Sequence, residues 1–294
     1  MTLRTRPLHA GFGKEVLDVD LAGADAATLG AIYVLWQQDP LLLFRRQSLT
    51  EEELVAYSAL FGEPEVTARV DGHSPKNPQV SYISALKRQD GTAIGALGNG
   101  ELTWHTDQIY RARPATGSIF HGTEMPQGTG RTMWCNMVLA YRALPDDLRR
   151  QVDKRQAHCK YGQKHMASFH DLLDKAKVEE IDALTPPVCH AMALDVPATG
   201  ERALYISPNH TFAVEGMDDA EFGPFFAALL HHAIREEFTY RHDWRNGDLM
   251  MWDNGRLLHR REPVDAALPR FARRTTVFLR PEDFAVPSCA SLAQ

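Results

Sequence analysis

The sequence has few cysteines and no long apolar run, and these two absences exclude several classes of protein. The four cysteines lie far apart and form no Cys-x-x-Cys pair, so the sequence predicts neither a zinc ribbon nor a disulfide-stapled secreted domain. No stretch approaches the roughly 20 apolar residues of a membrane span. The first residues also lack the apolar core of a signal peptide. We therefore expect a soluble cytoplasmic protein with free thiols and no membrane partner.

Basic residues are in deficit, because 32 Lys and Arg are set against 38 Asp and Glu, which gives a formal charge of −6. A nucleic acid is therefore not an expected partner. The composition, 44% hydrophobic and 24% charged, is that of a globular protein that can bury a large core without a structural metal. A metal bound by some of the 13 histidines would thus be expected to serve chemistry rather than folding.

Short apolar runs separated by turn residues predict a mainly β protein with flanking helices. Residues 25–38 have helical periodicity, Thr50 and Glu53 form a capping box, and Asp218 begins another helix. From residue 102 onward, short β-rich runs dominate, as in a sandwich or barrel. No linker is evident, so we expect one domain over residues 1–294, with a candidate lid at 66–102 and a polar insertion at 162–187.

The tetrapeptide Trp104-His105-Thr106-Asp107 contains the first candidate metal ligands. Its neighbours favour an extended backbone, in which residues i and i+2 point to the same face, so His105 and Asp107 would converge. An imidazole and a carboxylate together suit a divalent first-row metal. Because His-x-Asp is also common by chance, this motif does not establish a site by itself.

A third candidate ligand, His259, follows an Asn-Gly hairpin signal at 246–247, an apolar strand and an Asp-Asn-Gly turn at 253–255. Two histidines and one carboxylate held on strands form the facial triad of non-haem iron(II) oxygenases, which leaves coordination positions open. A single histidine such as His259 more often satisfies a buried hydrogen bond. The interpretation as a triad therefore depends on the other motifs.

Two arginines near the C-terminus, Arg270 and Arg274, would share one face of a strand over residues 270–279. At ~3.3 Å per residue they would stand about 13 Å apart. This is too far for both to hold one carboxylate, but it suits two anionic groups near a common centre. Arginine fits this task because its fork binds a carboxylate bidentately and keeps its charge. The alternative is a solvated basic edge strand, which Arg260 and Arg261 would also favour.

Together these motifs resemble the taurine dioxygenase and chlorophenoxyacetate (aryloxyalkanoate) dioxygenase family of iron(II)/2-oxoglutarate-dependent enzymes. The family pattern begins with Trp-His-x-Asp, continues with a Gly-x-Thr-x-Trp strand, here Gly130 to Trp134, and then has Trp-Asp-Asn before the distal histidine. Arginines follow that histidine after 11 and 15 residues, at Arg270 and Arg274. Residues 11–21 and 41–62 also look like the family's N-terminal region, so the resemblance spans nearly the whole chain.

The resemblance implies a double-stranded β-helix core, that is, a cupin-like jelly roll, and a role for each motif. The residues that would ligate iron(II) are His105, Asp107 and His259. Thr132 and Arg270 would hold the distal carboxylate of the cosubstrate 2-oxoglutarate. Arg274 would lie nearer the metal, where it would pair with an anionic group of the substrate or steady the first carboxylate of the cosubstrate.

With dioxygen, the implied reaction hydroxylates a small anionic organic substrate and releases succinate and carbon dioxide. The substrate would be a carboxylate such as an aryloxyalkanoate, or a sulfonate or sulfate ester, and hydroxylation beside oxygen, nitrogen or sulfur would cleave that bond. Asp107 argues against halogenation, because halogenases leave that ligand position free. The alternative is a non-redox jelly-roll metalloprotein, either a zinc-type hydrolase or isomerase or a ligand-binding protein, but such a protein has no evident need for Thr132, Arg270 and Arg274. Family analogy is also compatible with a homo-oligomer.

Further residues are expected at or near the substrate, and they are Arg274, His73, Tyr82, Asn99, Glu101 and His210. Relatives commonly have an asparagine just upstream of the Trp-His-x-Asp motif. Here either Asn99 fills that role through a local insertion or Glu101 replaces it. The sequence contains no His-Glu-x-x-His motif, which disfavours a zincin protease.

Overall fold

The computed structural model describes residues 2–67, 70–84, 86–98, 100–161, 183, 186–265 and 267–290. Over these residues the protein is mainly β with flanking helices, as expected. The predicted insertion at 162–187 lies outside the described residues apart from residues 183, 186 and 187, and so does Asn99. None of the helices in the described ranges combines the length and the apolar character needed to cross a bilayer.

Four of the five α-helices of the described residues begin where the sequence provides a capping side chain. Asp25 accepts a hydrogen bond from the Thr28 N–H, and capping boxes begin the helices after Thr50 and Asp218. The α-helices are α1 (Ala26–Gln38), α2 (Glu51–Ser58), α3 (Met137–Arg142), α4 (Asp146–Val152) and α5 (Asp219–Ala233), and 3-10 turns occur at Val70–Gly72 and Glu236–Phe238.

The strands of the described residues are short and mostly antiparallel. They are β1 (Thr5–Pro7), β2 (Lys14–Val16), β3 (Leu41–Phe44), β4 (Gly62–Pro64), β5 (Ser81–Ser84), β6 (Ala96–Leu97), β7 (Leu102–His105), β8 (Gly117–Glu124), β9 (Thr132–Asn136), β10 (Gln156–Cys159), β11 (Val188–Ala191), β12 (Ala193–Val196), β13 (Glu201–Leu204), β14 (Thr211–Val214), β15 (Thr239–His242), β16 (Asp248–Asp253), β17 (Leu257–Arg261), β18 (Phe271–Leu279) and β19 (Cys289–Ala290).

Two of the sheets formed by these strands position the site. The larger sheet has the order β1-β2-β3-β16-β8-β18-β5-β6, with β4 also paired to β18. The smaller sheet has the order β15-β9-β17-β7. Residues of both sheets share one buried apolar cluster, which includes Phe120 and Met250 of the larger sheet and Trp134 and Leu257 of the smaller one. The two sheets therefore pack face to face.

Strands β3 and β16 bury side chains on both faces, which explains their unbroken apolar runs. Alternate residues on β3 and β16, namely Leu41, Leu43, Met250 and Trp252, join the cluster between the sheets. The intervening residues Leu42, Phe44, Leu249 and Met251 pack in a second cluster with residues of α1 and α2. The helices thus cover the outside of the larger sheet and leave its inner face toward the smaller sheet.

The hairpin predicted at Asn246-Gly247 is wrong in its pairing. The chain does reverse there, and Gly247 has a φ of 79°, where an added Cβ would lie 3.1 Å from the Arg46 Cα. However, β15 pairs with β9 in the smaller sheet, whereas β16 pairs with β3 and β8 in the larger one. The turn therefore connects two sheets, because the buried β16 gains more by lying between two apolar strands than by pairing with its neighbour in sequence.

Buried histidines outside the site should make stability fall in acid. Burial lowers the pKa of His121 and of His190. Below the unfolded-state pKa of about 6.5 the unfolded chain binds protons that the folded chain does not, so each histidine destabilises the fold by up to about 2 kcal/mol between pH 7.5 and pH 5. Chemical denaturation at both pH values should show a smaller loss for His190→Gln than for the native chain.

The matched control for this measurement is His231→Gln, because His231 is exposed on α5. That substitution should leave the free energy of unfolding at pH 7.5 nearly unchanged, because it removes no buried side chain. An acid-induced loss that His190→Gln does not reduce would contradict the assignment of His190 as a histidine that stays neutral in the folded chain.

Candidate active site

The inner face of the smaller sheet carries three of the predicted site residues, His105, Thr132 and His259. In the strand register, His259 on β17 lies opposite His105 on β7, and Arg261 lies opposite Thr132 on β9. Residues directly opposite one another in antiparallel strands point to the same face, and so do residues two apart on one strand. His105, Thr132, His259 and Arg261 therefore share one face, which is the face turned toward the larger sheet.

Asp107 completes a cluster of possible metal ligands with the two histidines. Its carboxylate oxygens lie 3.7 Å from His105 Nε2 and 3.8 Å from His259 Nε2. One ligand atom from each of the three residues can be chosen so that all lie within 4.8 Å of one another. The extended backbone expected through Asp107 ends earlier, at His105. Asp107 instead occupies a turn in which the next residue, Gln108, has a φ of 58°.

The Trp-Asp-Asn turn before β17 holds the segment of Thr106 and Asp107 in place. Asn254 accepts a hydrogen bond on its backbone oxygen from the Thr106 hydroxyl at 2.7 Å, and its side-chain oxygen accepts one from the Trp252 indole at 3.0 Å. The same side-chain oxygen lies 3.3 Å from the Asp107 N–H, which donates to it. The Trp-Asp-Asn motif thus has a structural explanation. It positions Asp107, from which Asn254 is separated by 147 residues in the sequence.

The protonation states of the cluster suit a metal. His105 Nδ1 lies 2.8 Å from the Thr103 carbonyl oxygen, and donation to this oxygen leaves Nε2 as the free ligand atom. Burial lowers the pKa of both His105 and His259, so both are neutral near pH 7. Burial alone would raise the pKa of Asp107, but the Arg274 guanidinium and the two imidazoles outweigh it and hold that pKa well below its ordinary value. Two neutral imidazoles and a carboxylate are the donor set that a divalent metal requires.

Arg274 lies beside the cluster. Its Nη1 donates to Asp107 Oδ2 at 3.2 Å, while its buried Nε has no hydrogen-bond partner among the described residues. Arg274 belongs to β18 of the larger sheet. The metal-ligand cluster therefore lies between the two sheets, with one guanidinium already beside it.

Arg270 provides a second, deeper positive charge. Only 2% of this residue is exposed, and its Nε and Nη1 atoms have no hydrogen-bond partner in the described part of the chain. Its guanidinium carbon lies 5.7 Å from the centre of the Phe120 ring. A buried guanidinium without a partner is costly, so this position fits an anionic ligand such as the distal carboxylate of 2-oxoglutarate.

One cavity joins these groups to a patch of aromatic rings. The cavity is lined by the metal-ligand cluster, by Thr132, Arg261, Arg270 and Arg274, and by Tyr110, Tyr161 and His210. The ring of Tyr110 lies 4.8 Å from those of both Tyr161 and His210, measured between centroids. Burial, together with nearby His105, lowers the pKa of His210 to about 3, so His210 offers a neutral ring to a ligand.

The structure brings only part of the predicted substrate set to this cavity. Arg274 and His210 line it, but His73, Tyr82 and Glu101 do not. His73 Nε2 contacts the Thr67 carbonyl oxygen at 2.9 Å. The Tyr82 hydroxyl points away and donates to Glu51 at 2.6 Å. The Glu101 side chain is 45% exposed and lies 3.9 Å from Arg260.

Sequence reasoning missed two parts of the cavity. Tyr110 and Tyr161 belong to no motif, and they approach the site only because separate segments fold together. Arg261 had a usable signal, because it alternates with His259 on one strand and must share its face. The alternative of a solvated basic edge does not hold for Arg261, because only 3% of the residue is exposed.

A His-Asp-His cluster between two β-sheets, with one arginine paired to its carboxylate and a deeper arginine that has no partner among the described residues, is the arrangement expected of a 2-oxoglutarate-dependent oxygenase. Comparison with known proteins leads to the same class. The chain belongs to the family described as taurine catabolism dioxygenase TauD, TfdA family, whose model matches residues 4–276. It is therefore an iron(II)- and 2-oxoglutarate-dependent dioxygenase, and the non-redox alternative is not favoured.

Individual relatives and a solved structure are similar over almost the whole chain. The (S)-phenoxypropionate/alpha-ketoglutarate-dioxygenase of Delftia acidovorans is 31% identical, over 96% of this chain and 97% of the relative. An alpha-ketoglutarate-dependent sulfate ester dioxygenase of Pseudomonas putida is 29% identical, over 94% and 90%. The crystal structure of a taurine dioxygenase from Burkholderia xenovorans superimposes with a TM-score of 0.79 at 29% identity, covering 100% of this chain and 96% of that one.

Proposed function

We propose that this chain is a single jelly-roll domain that hydroxylates a small anionic organic substrate between its two inner sheet faces. The observation that carries this proposal is the pairing of one possible metal centre with two separate guanidinium groups. Arg274 lies beside the metal ligands, and Arg270 lies deeper and without a partner in the described residues. Such a site can hold the metal, a cosubstrate and an anionic substrate together.

In this proposal, iron(II) is held by His105 Nε2, His259 Nε2 and a carboxylate oxygen of Asp107. The distal carboxylate of 2-oxoglutarate is held by Arg270 and by the hydroxyl of Thr132. That hydroxyl accepts a hydrogen bond from the Trp244 indole at 2.9 Å, so its own proton is free to point at the carboxylate. These contacts orient the cosubstrate with its keto-acid end toward the metal ligands.

The iron(II) site, when loaded with 2-oxoglutarate and dioxygen, supplies an oxidation that inserts one oxygen atom into a substrate C–H bond and the other into succinate, with release of carbon dioxide. The protein's own residues position the reactants. Arg274 keeps Asp107 ionised and offers its unpaired Nε to an anion. Phe120, Trp134 and Trp252 surround the site with apolar surface and exclude water.

The substrate class follows from the other end of the cavity. The rings of Tyr110, Tyr161 and His210 form an aromatic wall there, and Arg274 provides the cation. Together they fit a carboxylate that carries an aryl group, such as an aryloxyalkanoate, and a sulfonate or sulfate ester would use the same cation. The names of the Delftia and Pseudomonas relatives refer to a phenoxypropionate and to sulfate esters, which supports this range. Hydroxylation of the carbon that bears the ether or ester oxygen would then cleave the bond between that carbon and that oxygen. The aryl or sulfate group would leave with the oxygen.

The proposal is tested by succinate release from the purified protein with iron(II), 2-oxoglutarate and oxygen. Aryloxyalkanoates, alkyl sulfonates, alkyl sulfate esters and amino acids should be compared, and we expect an aryloxyalkanoate to give the highest coupled rate. Matched neutral amides of the same compounds should lose most of this stimulation, because Arg274 would have no anion to bind. A protein that binds no 2-oxoglutarate in its anaerobic iron(II) form would refute the proposed function.

The proposal includes a lid and a cellular setting. Within the candidate lid at 66–102, Thr67, Gly72 and Leu97 line the cavity, although β5 of the same segment is paired to β18 in the larger sheet. A moving lid would therefore be restricted to the residues that flank β5.

The four free cysteines support a reducing, cytoplasmic compartment. Assembly into a homo-oligomer stays a prediction, which light scattering after gel filtration would test.

A further inference from the structure

We infer that Arg261 is a second arginine for the distal carboxylate of 2-oxoglutarate, and that it ties this carboxylate to the backbone carbonyls of Leu97, Gly98 and Gly100. The inference rests on the proposed function only in taking 2-oxoglutarate as the cosubstrate. It adds a binding residue and a physical connection between cosubstrate binding and the segment beside the cavity.

The position of Arg261 places it next to Thr132. The two residues lie directly opposite each other on β17 and β9, and both line the cavity. Thr132 contacts Trp244, whose ring lies 4.9 Å from Phe120, and Phe120 in turn lies under Arg270. Arg261 and Arg270 therefore approach the same end of the cavity from the two facing sheets.

The charge at this end of the cavity is not balanced by the protein. Neither Arg261 nor Arg270 forms an ion pair with a carboxylate of the described residues, and in each of them Nε and Nη1 are buried without a hydrogen-bond partner. Burial lowers the pKa of Arg261 to about 10, and both burial and the charge of Arg261 lower the pKa of Arg270. Two buried like charges repel each other, so one carboxylate accepting from both guanidinium groups would offset the repulsion and give each of them an acceptor.

A carboxylate can accept from all three of these groups. Its two oxygens offer about four lone-pair positions, which is sufficient for the Thr132 hydroxyl and for at least one N–H of each guanidinium group. A merely structural role for Arg261 would explain only one of its nitrogens. Nη2 donates to the carbonyl oxygens of Leu97 at 2.9 Å and Gly98 at 3.1 Å, and also to that of Gly100. The remaining nitrogens, Nε and Nη1, are left for a ligand.

The test compares two keto acids by calorimetric titration of the Mn(II)-loaded protein, without turnover. 2-Oxoglutarate carries the distal carboxylate, and 2-oxobutyrate lacks it. In Arg261→Gln we expect 2-oxoglutarate to bind about 10- to 100-fold more weakly, because a charge-assisted hydrogen bond to a buried carboxylate is lost. The affinity for 2-oxobutyrate should change less than about threefold, since it makes no such bond. Arg261→Lys should recover part of the loss, because it keeps the charge without the fork.

Arg260→Gln is the matched control. Arg260 is the neighbour of Arg261 on β17, it points to the opposite face and it does not line the cavity. Its substitution should leave both affinities unchanged. A double-mutant cycle of Arg261→Gln with Arg270→Gln adds a second criterion. If both arginines hold one carboxylate, their effects on 2-oxoglutarate binding should fall clearly short of additivity.

Two results would overturn the inference while leaving the proposed function intact. Equal weakening of both keto acids in Arg261→Gln would mean that Arg261 only holds the carbonyl groups of Leu97, Gly98 and Gly100. An unchanged affinity for 2-oxoglutarate would mean that Arg261 serves another anion, such as the substrate. Failure of the native protein to bind 2-oxoglutarate at all would instead refute the proposed function, so the two failures are distinguishable.

Discussion

Replacing Asp107 with alanine should abolish coupled turnover, with kcat/KM falling by at least about 10³-fold, since the metal performs the chemistry. Asp107 is the one carboxylate of the described residues in the possible metal-binding group, and it is within 3.8 Å of both histidine Nε2 atoms. Removing it leaves two neutral imidazoles facing the positive charge of Arg274. The remaining site lacks a counter-charge for a divalent cation, so metal affinity should fall together with activity.

The measurement is succinate release combined with metal content after dialysis against iron(II). The control is His121→Gln. His121 is a buried residue of the larger sheet that lies outside the ligand cluster, and its side chain contacts the Gln47 carbonyl oxygen. That variant should retain its metal and most of its activity. If Asp107→Ala kept native metal content and native turnover, the assignment of the three-residue centre would be wrong.

Comparing Asp107→Ala with Asp107→Asn separates the effect on stability from the effect on chemistry. In the folded chain Arg274 donates to Asp107, and the Ser118 hydroxyl lies 3.3 Å from the same carboxylate. Alanine leaves that guanidinium without its acceptor, which is expected to lower the free energy of unfolding by a few kcal/mol. Asp107→Asn keeps the size of the side chain and an acceptor oxygen, so it should lose activity while losing less stability.

The two histidines of the ligand cluster could be predicted from the sequence because the strands that carry them are defined by their local sequence. His105 belongs to a strand with β-branched and aromatic neighbours, and a capped turn of Asp, Asn and Gly precedes the strand of His259. The family spacing then joins these parts, although 148 residues separate Thr106 from the Asn254 carbonyl oxygen that it contacts. Composition or periodicity alone would not have shown that these segments meet.

Side-chain direction was harder to predict than position. Tyr82 lies in the expected segment, but β5 pairs with β18 so that Ser81 and Ile83 line the cavity and Tyr82 points toward α2. A shift of one residue in register would have reversed this arrangement. Glu101 fails for a related reason, because it precedes β7 on the exposed side of the sheet. Register depends on contacts between distant segments, and one sequence does not reveal them.

Arg261 is buried although its charge favours the solvated alternative. Two adjacent arginines on a strand indicate a solvated edge when charge alone is considered. However, β17 lies inside the smaller sheet, between β9 and β7, so one of the two neighbours must point inward. Alternation from His259 identifies that neighbour as Arg261. A buried charge that breaks a local rule is often a functional feature, and here it points to an anion.

Replacing Arg270 with alanine should raise the 2-oxoglutarate requirement by roughly 30- to 4000-fold, which corresponds to the 2–5 kcal/mol typical of truncating one partner of a buried charge pair. Its Nε and Nη1 have no partner among the described residues, so the cosubstrate carboxylate is expected to provide one. The maximal rate at saturating 2-oxoglutarate should fall much less, because Arg270 is remote from the bond that reacts. Initial rates over a range of 2-oxoglutarate concentrations would separate these two effects.

Arg270 also allows a test of the unliganded protein. A buried guanidinium without a counter-charge destabilises the fold until an anion binds. Arg270→Met keeps the apolar contacts of the side chain and removes the charge. We therefore expect the variant without cosubstrate to melt at a temperature at least about 2 °C higher than the native chain, whereas added 2-oxoglutarate should raise the melting temperature of the native chain only.

Arg273→Met is the matched control for both measurements. Arg273 lies on the same strand, but it donates to the Leu49 carbonyl oxygen and does not line the cavity. This variant should keep the native 2-oxoglutarate requirement and the native stabilisation by 2-oxoglutarate. If Arg270→Met were instead less stable than the native chain and still stabilised by the cosubstrate, Arg270 would be a structural residue. The distal carboxylate would then have to be held by Thr132 and Arg261 alone.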